Sequence, residues 1–395
     1  MVNSLPISRR CLLKGAALGL ATAIAPTAHS AWGQSREKFV DVVMVQPAYT
    51  GESSIRIGYM LKAWPYQKAG YSIKRIDILN ADTGMTIQSF ARDEDDWPRI
   101  FHDPLPENPV LAESGPLNAV YIPLQLRIPK SAAMPAKVAH RLTLQGSGPA
   151  ADIKIIGGRF RPAYHQSVLV ISSPVRGDTL VLFNQGTNGY HFNAVFFRNG
   201  KPNTGLVYAF DAIQTNEAHT SIMRDDGGKD ILNNTDYCIY GAHIYAAASG
   251  TVIRIVDGFD DQQGHRKTQP ITADSLAGNH IIIDIGNGYY SLYAHCQKGS
   301  FGHLKTGDQV TIGQPIATVG NSGNSDGPHL HFEIFSGSTD PLFSIGIPFV
   351  LDNFSVVGRI ENCDLETMSL ESTRLVKPRA YSKTMPDGIS IIEVA

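Results

Sequence analysis

Two histidines separated by one residue, His329 and His331, follow a Gly/Ser/Asn loop that closes on Gly327-Pro328, and they open the alternating run Leu330-His331-Phe332-Glu333-Ile334. In an extended strand, residues i and i+2 point to the same face, so the two imidazoles leave side by side, about 7 Å apart at ~3.3 Å rise per residue. Neutral imidazole is a common metal ligand and the side chain best suited to proton transfer near neutral pH. Such a pair can supply one ligand and one general acid/base to the same centre. A bare His-x-His is more often a hydrogen-bonded pair on a sheet face; the loop before it and Phe-Glu-Ile behind it favour the chemical reading here.

Three further segments precede this one in order: residues 245–252 (Tyr-Ala-Ala-Ala-Ser-Gly-Thr-Val), 288–295 (Gly-Tyr-Tyr-Ser-Leu-Tyr-Ala-His) and 307–316 (Gly-Asp-Gln-Val-Thr-Ile-Gly-Gln-Pro-Ile). Together the four resemble the LytM/lysostaphin-type zinc endopeptidases, which cut peptide cross-links in bacterial cell walls. The likeness covers roughly residues 176–345. It implies a small antiparallel β-fold in which zinc is held by an upstream histidine and aspartate and by the second histidine of His-x-His, here His331. By the same resemblance His329 and His295 flank the water and carry the proton-transfer chemistry. Three protein ligands with an open fourth position suit a catalytic zinc, which activates water and polarises the scissile carbonyl.

The upstream pair departs from the family pattern, in which a histidine stands four residues before the aspartate. Asp236 lies at about the expected distance, but Leu232 occupies the histidine position. Tyr208-Ala209-Phe210-Asp211 resembles the aromatic-flanked aspartate of members with an insertion before the Tyr-Ala strand, here residues 212–240. On that reading the ligands are His191 and Asp211, with His219 and Asp236 as the reserve pair. Ligands need not be close in sequence, since separate strands can bring them together. The remaining histidines have plain readings: His102, His140 and His165 as isolated surface or packing residues, His243 and His280 as structural, His265 and His303 as exposed. Cys296 reads as a buried small hydrophobe rather than a nucleophile.

The elements around these residues read as all-β. Residues 31–175 show short alternating segments broken by Gly, Pro, Asn and Asp, with 119–128 and 167–171 as the clearest strands, and predict a β-sandwich-like domain of unknown role. Residues 176–345 form the peptidase-like part, where 280–285 and 289–295 read as a hairpin around an Asn-Gly turn. Residues 346–395 predict a β-rich tail packing on one of the two domains. A length of 395 residues suits two or three domains, and 43% hydrophobic with 18% charged residues is globular.

The first thirty residues read as a twin-arginine signal peptide: Ser8-Arg9-Arg10-Cys11-Leu12-Leu13-Lys14, a weakly apolar run to Ala25, and a small-residue cleavage site at Ala28 and Ser30. That run is too short for a membrane helix in the mature protein. A net charge of −2 without a basic block excludes a nucleic-acid partner. Cys238, Cys296 and Cys363 allow one disulfide or none, and the pairing stays open. The expectation is a periplasmic, exported zinc endopeptidase acting on peptidoglycan peptides. The alternative is a catalytically inactive relative that binds the wall or activates another hydrolase. A lipoyl- or biotinyl-type carrier is excluded, because residues 320–323 place no lysine at the hairpin tip.

Overall fold

The computed structural model describes residues 39–395 except 65, 67–69, 95–96, 99, 101–118, 147–151, 184–189, 199–200, 225–232, 273 and 365–366. The twin-arginine segment, His102 and Leu232 therefore lie outside the described residues. Among the described residues there is no α-helix; strands alternate with short 3-10 turns, as the all-β expectation requires. No helix among the described residues is long and apolar enough to cross a membrane.

Two four-stranded sheets occupy the N-terminal part. In one, Ser54–Ala63 pairs with Val40–Val43, Tyr49–Thr50 and Val120–Pro129; the other runs Thr86–Ala91, Tyr71–Asn80, Val138–Gly146, Ile153–Phe160. Their inner faces share one core that includes Ile57, Leu61, Ile76, Ile78, Leu124 and Leu142. This is a sandwich, built by alternating apolar residues of both sheets.

His140 lies fully buried beside this core. Its Nδ1–H donates to the Gly158 carbonyl at 2.9 Å, and its Nε2 accepts from the Tyr59 hydroxyl at 2.7 Å. Both contacts are met by neutral imidazole, and burial pushes its pKa down to about 4. The folded value lies below the unfolded one near 6.5. Its stabilising neutrality is therefore complete above about pH 6.5 and is lost as pH falls toward 4, by on the order of 3 kcal/mol. Urea unfolding followed by tryptophan fluorescence should show this slope, and His140→Gln should flatten it. An unchanged slope in the variant would show that other groups carry the acid sensitivity.

One large sheet dominates the rest, in the order Gln309–Val310, Gly250–Val256, Asn279–Gly286, Tyr289–Cys296, Leu330–Ser336, Phe210–Gln214, Gly177–Phe183, Ser390–Val394, Phe349–Asp364, Ser369–Thr384, beside two two-stranded pairs, Phe196–Arg198 with Lys201–Asn203 and His243–Tyr245 with Pro315–Thr318. The hairpin Asn279–Gly286/Tyr289–Cys296 turns on Asn287 and Gly288, both at positive φ (56° and 75°). That is the two-residue turn whose twist matches the flanking strands. The C-terminal strands hydrogen-bond into this sheet rather than covering a face of it: Ser390–Val394 pairs with Gly177–Phe183, and Phe349–Asp364 with Ser390–Val394. Phe210–Gln214 sits at the middle, between Gly177–Phe183 and Leu330–Ser336.

Candidate metal centre

Central position explains how Asp211 reaches the His-x-His pair. Asp211 is the direct cross-strand partner of His331, which in turn faces Ala294 on the next strand. Side chains of directly opposed residues lie on the same face of a sheet. His331 Nδ1 thus approaches Asp211 Oδ1 at 3.1 Å. His191 arrives from outside the sheet, on the 3-10 turn His191–Asn193, and its Nε2 stands 2.9 Å from Asp211 Oδ2. One ligand atom from each of His191, Asp211 and His331 falls within 4.8 Å of the others, and all three residues are buried.

His329 precedes the strand that begins at Leu330, yet it turns to the same centre, its Nε2 3.4 Å from Asp211 Oδ1. Its Nδ1–H donates to the Gly327 carbonyl at 2.8 Å. His295 faces His329, the ring centroids 4.7 Å apart. It occupies the left-handed region at φ 63°, where the hairpin register slips between Asn279/Cys296 and Ile281/Tyr293. A bulge of this kind re-aims a side chain at the end of a strand. His295 is held there by its N–H to Ala277 O (3.0 Å), by Gly320 N–H to its own carbonyl (3.0 Å), and by Nδ1–H to Ser322 O at 2.7 Å. Both flanking histidines therefore spend Nδ1 on a carbonyl, His329 turns its Nε2 toward the centre, and the His295 ring lies beside those of His329 and His331.

The charges sort themselves by neighbours. Burial alone would raise the Asp211 carboxyl, but the imidazoles of His191, His329 and His331 hold it well below the usual carboxylate range. Burial lowers His191 despite the adjacent Asp211. It also lowers His295, which the nearby His329 and His331 push further, well below the usual imidazole value. His331 goes the other way: burial opposes its charge, but its contact with Asp211 and the negative charges of Asp211 and Glu333 lift it to about 10. The result is one carboxylate with the His191 imidazole against one oxygen and the His331 imidazole against the other.

This donor set fits zinc. Two imidazole nitrogens and one carboxylate oxygen converge from separate elements on a buried point, with further histidines beside them. Glu333, two residues beyond His331 on the same face, adds a feature that sequence reading missed. It is 1% exposed, its Oε2 is 3.8 Å from His331 Nε2, and neither carboxylate oxygen has a hydrogen-bond partner. A carboxylate behind a ligating imidazole fixes ring orientation and tautomer. Glu333→Leu should weaken zinc binding by roughly 10–100-fold, and Glu333→Gln by less, because its amide oxygen still accepts. Chelator competition measures both; equal affinity in Glu333→Leu would remove this role.

The reserve pair does not assemble. His219 is buried against Gly358 of the C-terminal strands, whereas Asp236 ends the 3-10 turn Asn234–Asp236. Among the described residues no other group of His, Cys, Asp and Glu converges in this way. Cys296 is fully buried and burial raises its thiol, as suits a small hydrophobe.

Residues 234–341 match the family model described as peptidase family M23. The match takes in His295, His329 and His331 and begins after His191 and Asp211. Peptidoglycan DD-endopeptidase ShyC of Vibrio cholerae serotype O1 is 33% identical over 203 residues, covering 47% of this chain and 41% of that protein. ShyA of the same organism, also a peptidoglycan DD-endopeptidase, is 32% identical over 103 residues, 26% of this chain and 20% of that one. Murein hydrolase activator EnvC of Escherichia coli K12 is 36% identical over 94 residues, 23% of this chain and 19% of that one. The chain spans less than half the length of each of these relatives.

Proposed function

We propose that this chain, which carries a domain of peptidase family M23, is an exported zinc-dependent endopeptidase that hydrolyses peptide cross-links in peptidoglycan. The observation that supports it most is the convergence of His191, Asp211 and His331 within 4.8 Å, with His295 and His329 beside them. In this reading His191 through Nε2, Asp211 through a carboxylate oxygen and His331 through Nδ1 hold the ion. Zinc held there lowers the pKa of a water toward ~7 and polarises a carbonyl. The chain's own contribution is proton handling. With Nδ1 of His295 and His329 donated to Ser322 O and Gly327 O, each ring offers Nε2 to take a proton, return it to the leaving amine, or stabilise the developing oxyanion. Glu333 and Ser322 orient the rings.

The substrate class rests on the relatives, two of which are peptidoglycan DD-endopeptidases by name. Digestion of purified peptidoglycan with the zinc-loaded protein, followed by chromatography of the fragments, tests it. Cross-linked muropeptides should fall as uncross-linked ones rise; an unchanged fragment profile would refute the endopeptidase reading. The likeness to the activator EnvC, and a family match that starts beyond the first two ligands, favour a second reading. On that reading the protein cleaves nothing and instead raises the activity of another wall hydrolase added to the same digest. Periplasmic export by the twin-arginine route belongs to this proposal and rests on Arg9 and Arg10 ahead of a weakly apolar run. Replacing both by Lys should retain the protein in the cytoplasm, and undiminished periplasmic yield would refute that route.

A further inference from the structure

His191 and Asp211 stand twenty residues apart on different elements, so no single strand sets their separation. Beneath both lie the N-terminal sheets. Phe192, next to His191, and Tyr208, three residues before Asp211, are buried and share one small cavity with Met44, Gly58, Met60 and Pro123. The Tyr208 ring meets Tyr49 edge-on at 5.9 Å, and Tyr121 packs on Phe197 at 5.2 Å. Gly58 is required by close approach: a Cβ there would stand 2.0 Å from the Tyr208 hydroxyl oxygen and 2.9 Å from Cζ. The outer end of the same strand is clamped by charge. Arg56 pairs with Asp387, Arg359 Nη2 reaches Glu52 Oε2 at 2.6 Å, and Asp387 N–H donates to Glu52 Oε1 at 2.7 Å. Arg56 and Glu52 are buried, so their charges depend on these partners.

We propose that the N-terminal sheets are a positioning element of the metal centre: docked strand Ser54–Ala63 holds the segments bearing His191 and Asp211 at ligating distance, and loosening it separates them. Gly58 and Tyr208 are the positioning residues, and the Glu52–Arg359 and Arg56–Asp387 pairs are the clamp. This rests on the zinc-site reading above. It supplies a role for the N-terminal sheets, as part of the site's construction. Coupling of this kind is reciprocal: if docking favours zinc, zinc favours docking by the same factor.

The test uses the full mature chain, with zinc affinity read by competition with a chromophoric chelator and docking read by amide exchange of residues 54–63. Zinc should slow exchange in that strand in the wild type. Gly58→Ala should weaken zinc about 10-fold or more, within the usual range for coupled sites, and Tyr208→Phe in the same chain should restore part of it by removing the colliding oxygen. Arg359→Met acts at the clamp without adding a Cβ against Tyr208, and keeps the test decisive should Gly58→Ala fail to fold; it should speed exchange of 54–63 and weaken zinc together. Zinc affinity equal to wild type in a variant whose strand 54–63 exchanges faster would overturn the inference, as would exchange indifferent to zinc. A wild-type chain that takes up no zinc would instead overturn the site reading itself.

Discussion

Asp211→Ala, His331→Ala and His191→Ala should each lower zinc affinity by ~10²–10³-fold. Four-ligand zinc sites are worth on the order of 10–16 kcal/mol, so one ligand represents about 3–4 kcal/mol, and 1.4 kcal/mol is tenfold. Asp211→Ala should be the most severe, since its carboxylate is the group to which His191, His331 and His329 all turn, at 2.9, 3.1 and 3.4 Å. Removing it also leaves imidazoles facing one another with no anion between them. His219→Ala and Asp236→Ala should bind zinc as the wild type does, because neither residue reaches the centre. If Asp236→Ala loses the metal while Asp211→Ala keeps it, the ligand set is wrong.

The second large effect separates ligand from catalyst. His329→Ala and His295→Ala should keep zinc and lose ~10²–10⁴-fold in cross-link cleavage, the usual worth of a proton-transfer group. Their geometry explains the division: each ring commits Nδ1 to a backbone carbonyl and leaves Nε2 for the substrate side. Steady-state cleavage rates at equal zinc content measure it. Loss of metal in either variant would make that residue a ligand; full activity would remove it from the chemistry. Ser322 contributes only a backbone carbonyl to His295, so Ser322→Ala tests the loop differently. Its hydroxyl donates to Cys296 O and accepts from Asn279 N–H, and its loss perturbs the loop more than the ring.

How far these residues could be read from sequence follows from how local each signal is. His329 and His331 are two residues apart, and Tyr293-Ala294-His295 lies in a short motif; such signals survive in a linear chain. His191 and Asp211 meet only because the turn His191–Asn193 rests on other elements and Phe210–Gln214 pairs with Leu330–Ser336, so the sequence left the reserve pair open beside them. The bulge that holds His295 at φ 63° had no signal, since alternation predicts an ordinary strand through residue 295. Glu333 stood inside the motif, but the alternating pattern does not tell a buried carboxylate from an exposed one. The Asn287-Gly288 turn was legible because its residue types answer to its backbone angles. The insertion of residues 390–394 between Gly177–Phe183 and Phe349–Asp364 was not, because strand neighbours far apart in sequence leave no local trace.

The central claim is that one zinc, held by this chain, drives hydrolysis of peptidoglycan cross-links. Titrating zinc back into chelator-stripped protein while following cross-link cleavage tests it most directly. Cleavage should be absent at the start, rise in proportion to bound zinc and stop rising at one zinc per chain. Cleavage by the stripped protein, or none once a full equivalent of zinc is bound, would contradict it.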